Sequence, residues 1–291
     1  MPTTRTAPVI DLHTHTVHSD GTQTPAELVQ AADLAGVDVL GLTDHDVVDG
    51  WGAAASHAAR AGVTLIPGVE LSTQVSGMSV HLLAYLVDPH DDSLVELMRT
   101  IRYHRSTRFR RTVDLLVADG YPLDYDEIVT RLGSETTLGR PHVADALVRA
   151  GSFTDRNAAF ERVLHSTSRY SVRHWAPPAP EAIEVILAAG GVPVLAHPFA
   201  RARGHVVAEA DIDELVDAGL LGLEVNHPDH DSAAVAAAAT ISARHDLLQT
   251  GSSDYHGAGK SNRLAQCTTT AEHLERLIEL GSGSAPLGSA P

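Results

Sequence analysis

Strand and helix signals alternate over residues 9–86 and again over 181–251, and only helical signals lie between them. That pattern commits a chain to a largely parallel sheet, open or closed into a barrel, because each parallel strand pair needs a crossover and a helix supplies it. The first block reads as strands at 9–13, 37–43, 63–66 and 81–86. One helix opens at Thr24 with Pro25 and Glu27 completing a capping signal, and an alanine-rich helix covers 51–61. The second block reads as helices at 181–189, 211–218 and 232–245 and strands at 192–196, 221–225 and 247–251. Between them lie helices at 94–119, 125–132, 141–150 and 155–164, followed by a break at Pro177, Pro178 and Pro180. The expected organisation is a discontinuous barrel of residues 8–97 and 176–280, a helical insertion of 98–175, and a flexible Gly/Ser/Ala/Pro tail of 281–291.

Composition narrows the functions such a fold can serve. The formal net charge is −16, with 21 Lys plus Arg against 37 Asp plus Glu. No long basic groove for duplex DNA is expected. Cys267 is the single cysteine, so no intrachain disulfide can form, and no apolar run approaches a membrane span. Residues 1–8 lack the apolar core of a secretory signal, which gives an expectation of a cytoplasmic protein, a monomer or small homo-oligomer. The outlying number is 18 histidines.

Those histidines and several carboxylates gather where strands end, the face on which α/β barrels do their chemistry. The first strand runs into Asp11-Leu12-His13-Thr14-His15 and Ser19-Asp20-Gly21; the second into Thr43-Asp44-His45; the third into Glu70. His13 and His15, two residues apart, share a face of an extended strand. His81 opens the fourth strand, His197 follows the fifth, and Asp254 and His256 follow the last. The candidate ligands are therefore His13, His15, Asp20, His45, Glu70, His81, His197, Asp254 and His256, which is enough for two or three cations with a bridging carboxylate. Imidazole and carboxylate ligands suit Mn, Fe or Zn alike. Asp11 and Asp44, beside ligand positions, are expected to orient an imidazole.

At these residues the sequence resembles the PHP superfamily of metal-dependent phosphoesterases. The resemblance rests on Asp-Leu-His-Thr-His at 11–15, Thr-Asp-His at 43–45, Ala-His-Pro at 196–198 and Ser-Asp-Tyr-His at 253–256. It implies a distorted seven-stranded (β/α) TIM-like barrel with three divalent metal ions. One would be held by His13, His15, Glu70 and Asp254, one by Glu70, His81 and His197, and one by Asp20, His45 and His256. Asp20 stands where the histidinol phosphatases commonly carry histidine, and Gly139-Arg140-Pro141-His142 resembles the branch acting on AMP, 3′,5′-bisphosphonucleotides and RNA 5′ ends. In that branch Arg140 and His142 would reach the substrate phosphate, and Arg108, Arg169 and His230 would contact phosphate or sugar. The activity so implied is hydrolysis of nucleotide phosphate esters, small or carried on a short single-stranded RNA, by metal-activated water. The alternatives are a histidinol-phosphate-type phosphatase and an amidohydrolase-like hydrolase. The latter needs a lysine among its ligands, and the one lysine, Lys260, lies beyond the last motif. His18, His57, His90, His104, His245 and His273 match no motif and are expected as surface or capping residues.

Overall fold

The computed structural model of the chain describes residues 7–173, 175–201 and 206–288; the N-terminal residues 1–6 and the last three of the expected tail lie outside them. Seven strands form one sheet in the order of the chain: β1 (Ile10–Thr14), β2 (Val39–Leu42), β3 (Thr64–Val75), β4 (Met78–Tyr85), β5 (Val192–Leu195), β6 (Gly222–Asn226) and β7 (Leu248–Gly251). The sheet curls until its ends meet. Thr14 bridges Tyr255 just past β7, the His15 amide donates to the Tyr255 carbonyl at 2.9 Å, and the Thr269 amide donates to Ile10 at 3.0 Å.

The expectation of a parallel sheet fails at one strand. β1 to β3 are parallel, as are β5 to β7, but β4 is antiparallel to both of its neighbours. The cause is local. Val75 pairs with Met78 across Ser76-Gly77, and both loop residues have positive φ, 48° and 75°. A two-residue loop of that hand folds the chain straight back as a hairpin. β3 therefore continues to Val75, well beyond the expected end at 66, to pair with β4.

Around the barrel lie α1 (Pro25–Ala35), α2 (Trp51–Ala61), α7 (Ala179–Ala188), α8 (Glu209–Asp217), α9 (Ser232–Arg244) and α10 (Ala271–Leu280). α1 carries the expected capping box of Thr24 and Glu27, and Gly36, left-handed at φ 73°, ends it. The main apolar cluster joins Leu28, Ala58, Ile183, Leu215 and Ile241 of the helices to Leu40, Leu71 and Leu223 of the strands. β3 and β6 divide by the two-residue period. Val69 and Leu71, and Leu223 and Val225, join this cluster, which leaves Glu70 and Glu224 on the opposite face. β1 and β2 approach so closely that a Cβ on Gly41 would lie 2.1 Å from the Leu12 carbonyl oxygen. Gly41→Ala is expected to destabilise the protein by about 3 kcal/mol, read by chemical denaturation; an unchanged midpoint would show that the strands can part.

Between β4 and α7 the chain forms α3 (Asp92–Ala118), α4 (Tyr125–Leu132), α5 (Arg140–Arg149), α6 (Arg156–Ala159) and a π-helical turn, Phe160–Leu164. These helices have a separate apolar cluster containing Phe109, Leu116, Ile128, Val143, Leu147 and Val163. α3 belongs to both bodies, because Leu94 and Met98 pack in the main cluster while Phe109 onward packs with the insertion. A boundary at 97/98 therefore falls inside a continuous helix. The segment 281–288, expected to be free, is instead pinned to the barrel. The Ser282 and Gly283 amides donate to Gly190, Ser284 to Leu86, and Leu65 and Leu287 exchange 2.8 Å backbone bonds. Backbone bonds to a sheet edge hold it where apolar side chains are lacking.

Candidate metal centre

The site is organised by Glu70, buried in the middle of β3. One carboxylate oxygen, Oε2, lies 3.2 Å from His13 Nε2, 3.2 Å from His15 Nε2 and 3.1 Å from His45 Nδ1. The other, Oε1, accepts from His81 Nδ1 at 2.7 Å and from His197 Nε2 at 3.0 Å. The reversed strand explains His81. It pairs with Ser72, and because β4 runs antiparallel, its first half lies on the face where the parallel strands end. His45 and Glu70 also meet through an isolated parallel bridge beyond β2.

The remaining candidates converge on the same place. His15, Asp20, His45 and His256 each turn a ligand atom into a space where these atoms lie within 4.8 Å of one another, as do His13, His15 and Asp254, and His45, Glu70 and His81. The groupings differ from the implied ones, since His15 and His45 each belong to two, and His197 joins through Glu70.

The donor set fits cations better than it fits a hydrogen-bond network. Buried polar atoms are normally paired, yet Asp20 Oδ1 and His45 Nδ1 are buried and make no hydrogen bond among the described residues. They nevertheless stand 3.1 Å from His256 Nε2 and from Glu70 Oε2, close but misaligned. His13 Nε2 and His15 Nε2 face each other at 3.0 Å. Lone pairs aimed at a common point rather than at a donor describe a ligand cage.

Protonation responds to the crowding. Burial alone would raise the Glu70 pKa, but His45, His81 and His13 hold it well below the usual carboxylate range. Burial likewise opposes charge on His15, yet Asp254 and Glu70 lift it to about 9, whereas burial, Lys260 and His15 push His256 down to about 4. A cation must displace the proton that His15 holds. His13, also raised well above the usual imidazole value, must lose its proton as well, so divalent-cation affinity, measured against a competing chelator, should climb at least about tenfold per pH unit up to about pH 9. A flat profile between pH 6 and 8 would remove His15 from the ligands.

Several supporting residues act differently from expectation. Asp11 touches no imidazole; its oxygens accept from the Ser253 amide at 2.9 Å and the Ala265 amide at 2.8 Å, fixing the loop after β7. Burial raises its pKa to about 6. Asp44 binds the Thr16 amide and hydroxyl and the Ser19 hydroxyl, and reaches His15 only through Ser19. The group that orients an imidazole is Glu224, missed in the sequence. Its Oε1 accepts from His13 Nδ1 at 3.0 Å, its Oε2 accepts from the His197 amide at 2.8 Å, and Ser252 also bonds it. The available signal was an acidic residue inside the apolar strand expected at 221–225. His227 and Lys260 were missed too; they donate to Asp254 Oδ2 at 3.3 and 2.7 Å, leaving Oδ1 toward His13, His15 and His256. Lys260 is thus ion-paired to a carboxylate.

Of the expected substrate contacts, only Arg140 lines the opening, with Arg108 behind it. A cavity of about 470 Å³ has Arg140, His81, His197, Phe160 and Leu164 among its walls. Arg108 is half-buried, and burial, with Arg105 and Arg140 beside it, lowers its pKa well below the usual arginine value. His142 does not face the cavity. It accepts from the Gly139 amide at 3.0 Å and donates to the Ser19 carbonyl at 2.9 Å, so both ring nitrogens are committed to tying α5 to the loop that carries Asp20. His230 is committed in the same way, to the Val225 carbonyl and the Phe199 amide. Arg169 is exposed and pairs with Asp119 at the far end of α3, about 20 Å along the helix from Arg105.

Comparison with known proteins agrees with this geometry. Residues 11–129 match the PHP domain model. A 3′,5′-nucleoside bisphosphate phosphatase of Chromobacterium violaceum is 32% identical over 254 residues, covering 87% of this chain and 89% of that one. A 5′-3′ exoribonuclease of Haemophilus influenzae is 37% identical over 190 residues, 65% of this chain and 68% of its own. A solved structure from Bifidobacterium adolescentis, described as a predicted metal-dependent phosphoesterase, superposes with a TM-score of 0.91 at 36% identity, covering 94% of this chain and 96% of that one. With strand-end histidines and carboxylates gathered about Glu70 and relatives that match over most of its length, this chain belongs to the PHP family.

Proposed function

We propose that the chain hydrolyses phosphate esters of nucleotides, as free mononucleotides or bisphosphonucleotides or at the 5′ end of a short single-stranded RNA. The observation that carries this reading is the placement of Glu70. Its two oxygens face separate groups of imidazoles at the foot of a cavity whose wall holds an arginine. Three divalent cations, Mn, Fe or Zn, are the complement proposed for His13, His15, Asp20, His45, Glu70, His81, His197, Asp254 and His256. Bound there, divalent cations neutralise phosphoryl oxygens and make water acidic enough to attack phosphorus.

The chain's own residues do the rest. Arg140 lines the cavity, where its Nη1 also donates to the Leu164 carbonyl at 3.3 Å, and is the arginine proposed to contact the phosphoryl oxygens. Glu224 holds His13 in one tautomer and fixes the His197 backbone. His230, with both nitrogens engaged, is unavailable for the proton. The relatives named above act, by name, on nucleoside bisphosphates and on RNA, which supports this substrate class.

The test is a substrate panel of AMP, 3′,5′-bisphosphoadenosine, a 5′-phosphorylated RNA oligomer and histidinol phosphate, with Mn and with chelator, reading released phosphate and mononucleotide. Nucleotide turnover abolished by chelator is the expected result. Faster turnover of histidinol phosphate than of any nucleotide would overturn the reading.

A further inference from the structure

The chain has two tryptophans, and the fold uses them in opposite ways. Trp51 is buried and donates its indole N–H to the Gly68 carbonyl at 2.9 Å. Trp175 is 42% exposed and stands in a row of rings on the surface. It lies 5.1 Å from His104 of α3, which lies 5.4 Å from Tyr103, itself 65% exposed. Large exposed rings in contact with one another are a cost to a folded protein unless something covers them. In a chain with only 4% aromatic residues, such a row is a feature to explain.

Two independent connections lead from this row to the cavity. Along α3, His104 and Arg108 are one turn apart on the same stripe, and Arg108 lies beside Arg140 of the cavity wall. Along the sheet, the Ala176 carbonyl next to Trp175 accepts from the Gln74 side chain at 2.9 Å, and Gln74 is paired across the hairpin with Ser79, which lines the same cavity. His104 and Trp175 are therefore connected to the wall of the proposed active site by these two routes, and Tyr103 extends the row toward the neighbouring hollow lined by Arg99, Arg102 and Tyr125.

We infer that Tyr103, His104 and Trp175 form a stacking platform for the nucleotides of a single-stranded RNA whose 5′ phosphate lies in the cavity. Arg108 guides the backbone between platform and cavity. Flat rings interleaved with cations are the chemistry that holds single-stranded nucleic acid without reading its sequence, because every base offers a π face and every linkage a charge. The overall charge of −16 does not oppose this, since the attraction is local and acts within a Debye length. The inference rests on the proposed nucleotide phosphoesterase activity. It narrows that activity, because a platform outside the cavity serves a strand and gives nothing to a mononucleotide.

The experiment compares the wild-type holoenzyme with Trp175→Ala, Trp175→Phe and Tyr103→Ala. Neither target side chain belongs to an apolar core cluster, so the variants are expected to fold. Steady-state kinetics on a 5′-phosphorylated oligoadenylate and on AMP give the ratio of the two kcat/KM values. Binding of a cleavage-resistant phosphorothioate oligoadenylate is followed by fluorescence anisotropy. For Trp175→Ala the oligomer-to-AMP ratio should fall on the order of tenfold, through KM, oligomer affinity should weaken to match, and Trp175→Phe should restore both. An unchanged ratio with unchanged affinity overturns the platform, as does an equal loss on both substrates, which would mark Trp175 as structural. If the wild-type enzyme turns over no nucleotide substrate, the proposed activity fails, and the anisotropy comparison still decides the platform on its own.

Discussion

Glu70→Gln is expected to lower turnover of any accepted substrate on the order of 10³-fold or more, with loss of bound metal measured on the purified protein. Glutamine keeps the shape of the side chain and removes its charge. The oxygens of Glu70 face His13, His15 and His45 on one side and His81 and His197 on the other. A neutral amide cannot bridge two cations, and its NH₂ would point at nitrogens that also need an acceptor or a cation. Removing it damages two groups of ligands at once, and each 1.36 kcal/mol of lost transition-state stabilisation is a factor of ten in rate. His81→Ala touches one side of the bridge and should cost less. If Glu70→Gln kept full metal content and a rate within tenfold of wild type, the bridging role would be wrong.

Arg105→Ala should destabilise the protein by about 3–5 kcal/mol and lower Tm by about 10 °C, read by thermal unfolding at constant metal concentration. Arg105 is buried on α3, where Nη1 donates to Asp46 Oδ2 at 3.1 Å and to Ser72 at 2.7 Å, and Nε donates to the Leu138 carbonyl at 3.0 Å. Asp46 is itself fully buried, in the left-handed region at φ 56°, and also accepts from the Ser72 amide and hydroxyl. Alanine would leave that carboxylate buried without its cation, and most of the cost comes from there. The control is Arg99→Ala on the same helix, whose pair with Glu96 is exposed on both sides. It should change stability by less than about 0.5 kcal/mol. Equal effects at the two positions would mean that the Arg105 contact does not clamp the insertion to the barrel.

Much of the fold was legible because its signals are local. The capping box of α1 and the extent of α2 follow from residues within one turn of each boundary. Ligand positions could be read because imidazoles and carboxylates at strand ends are costly without a shared purpose. What escaped depends on non-local pairing. The direction of β4 turns on two residues, Ser76 and Gly77, that resemble any other loop until their φ values are known. His142 and His230 have the residue type of a substrate contact. Whether they serve as one depends on backbone groups that engage both nitrogens, Gly139 and Val225 close by and Ser19 and Phe199 far along the chain. Glu224 was overlooked for the converse reason, since its partners, His13 and His197, lie far away in the chain.

The reversal of β4 also decides where the helical insertion can begin. A parallel strand would have delivered the chain to the rim where the ligands gather, but β4 leaves it at the opposite end. α3, at 27 residues and about 40 Å, makes the return journey. It starts against the barrel at Leu94 and Met98, meets it again where Arg105 bonds Asp46, and leads into the segment that puts Arg140 and Phe160 at the cavity wall. The insertion is thus an enlargement of a connection the topology already demanded. Excision of α4 to α6 would keep that route intact, whereas shortening α3 itself would strand the chain on the wrong side of its own barrel.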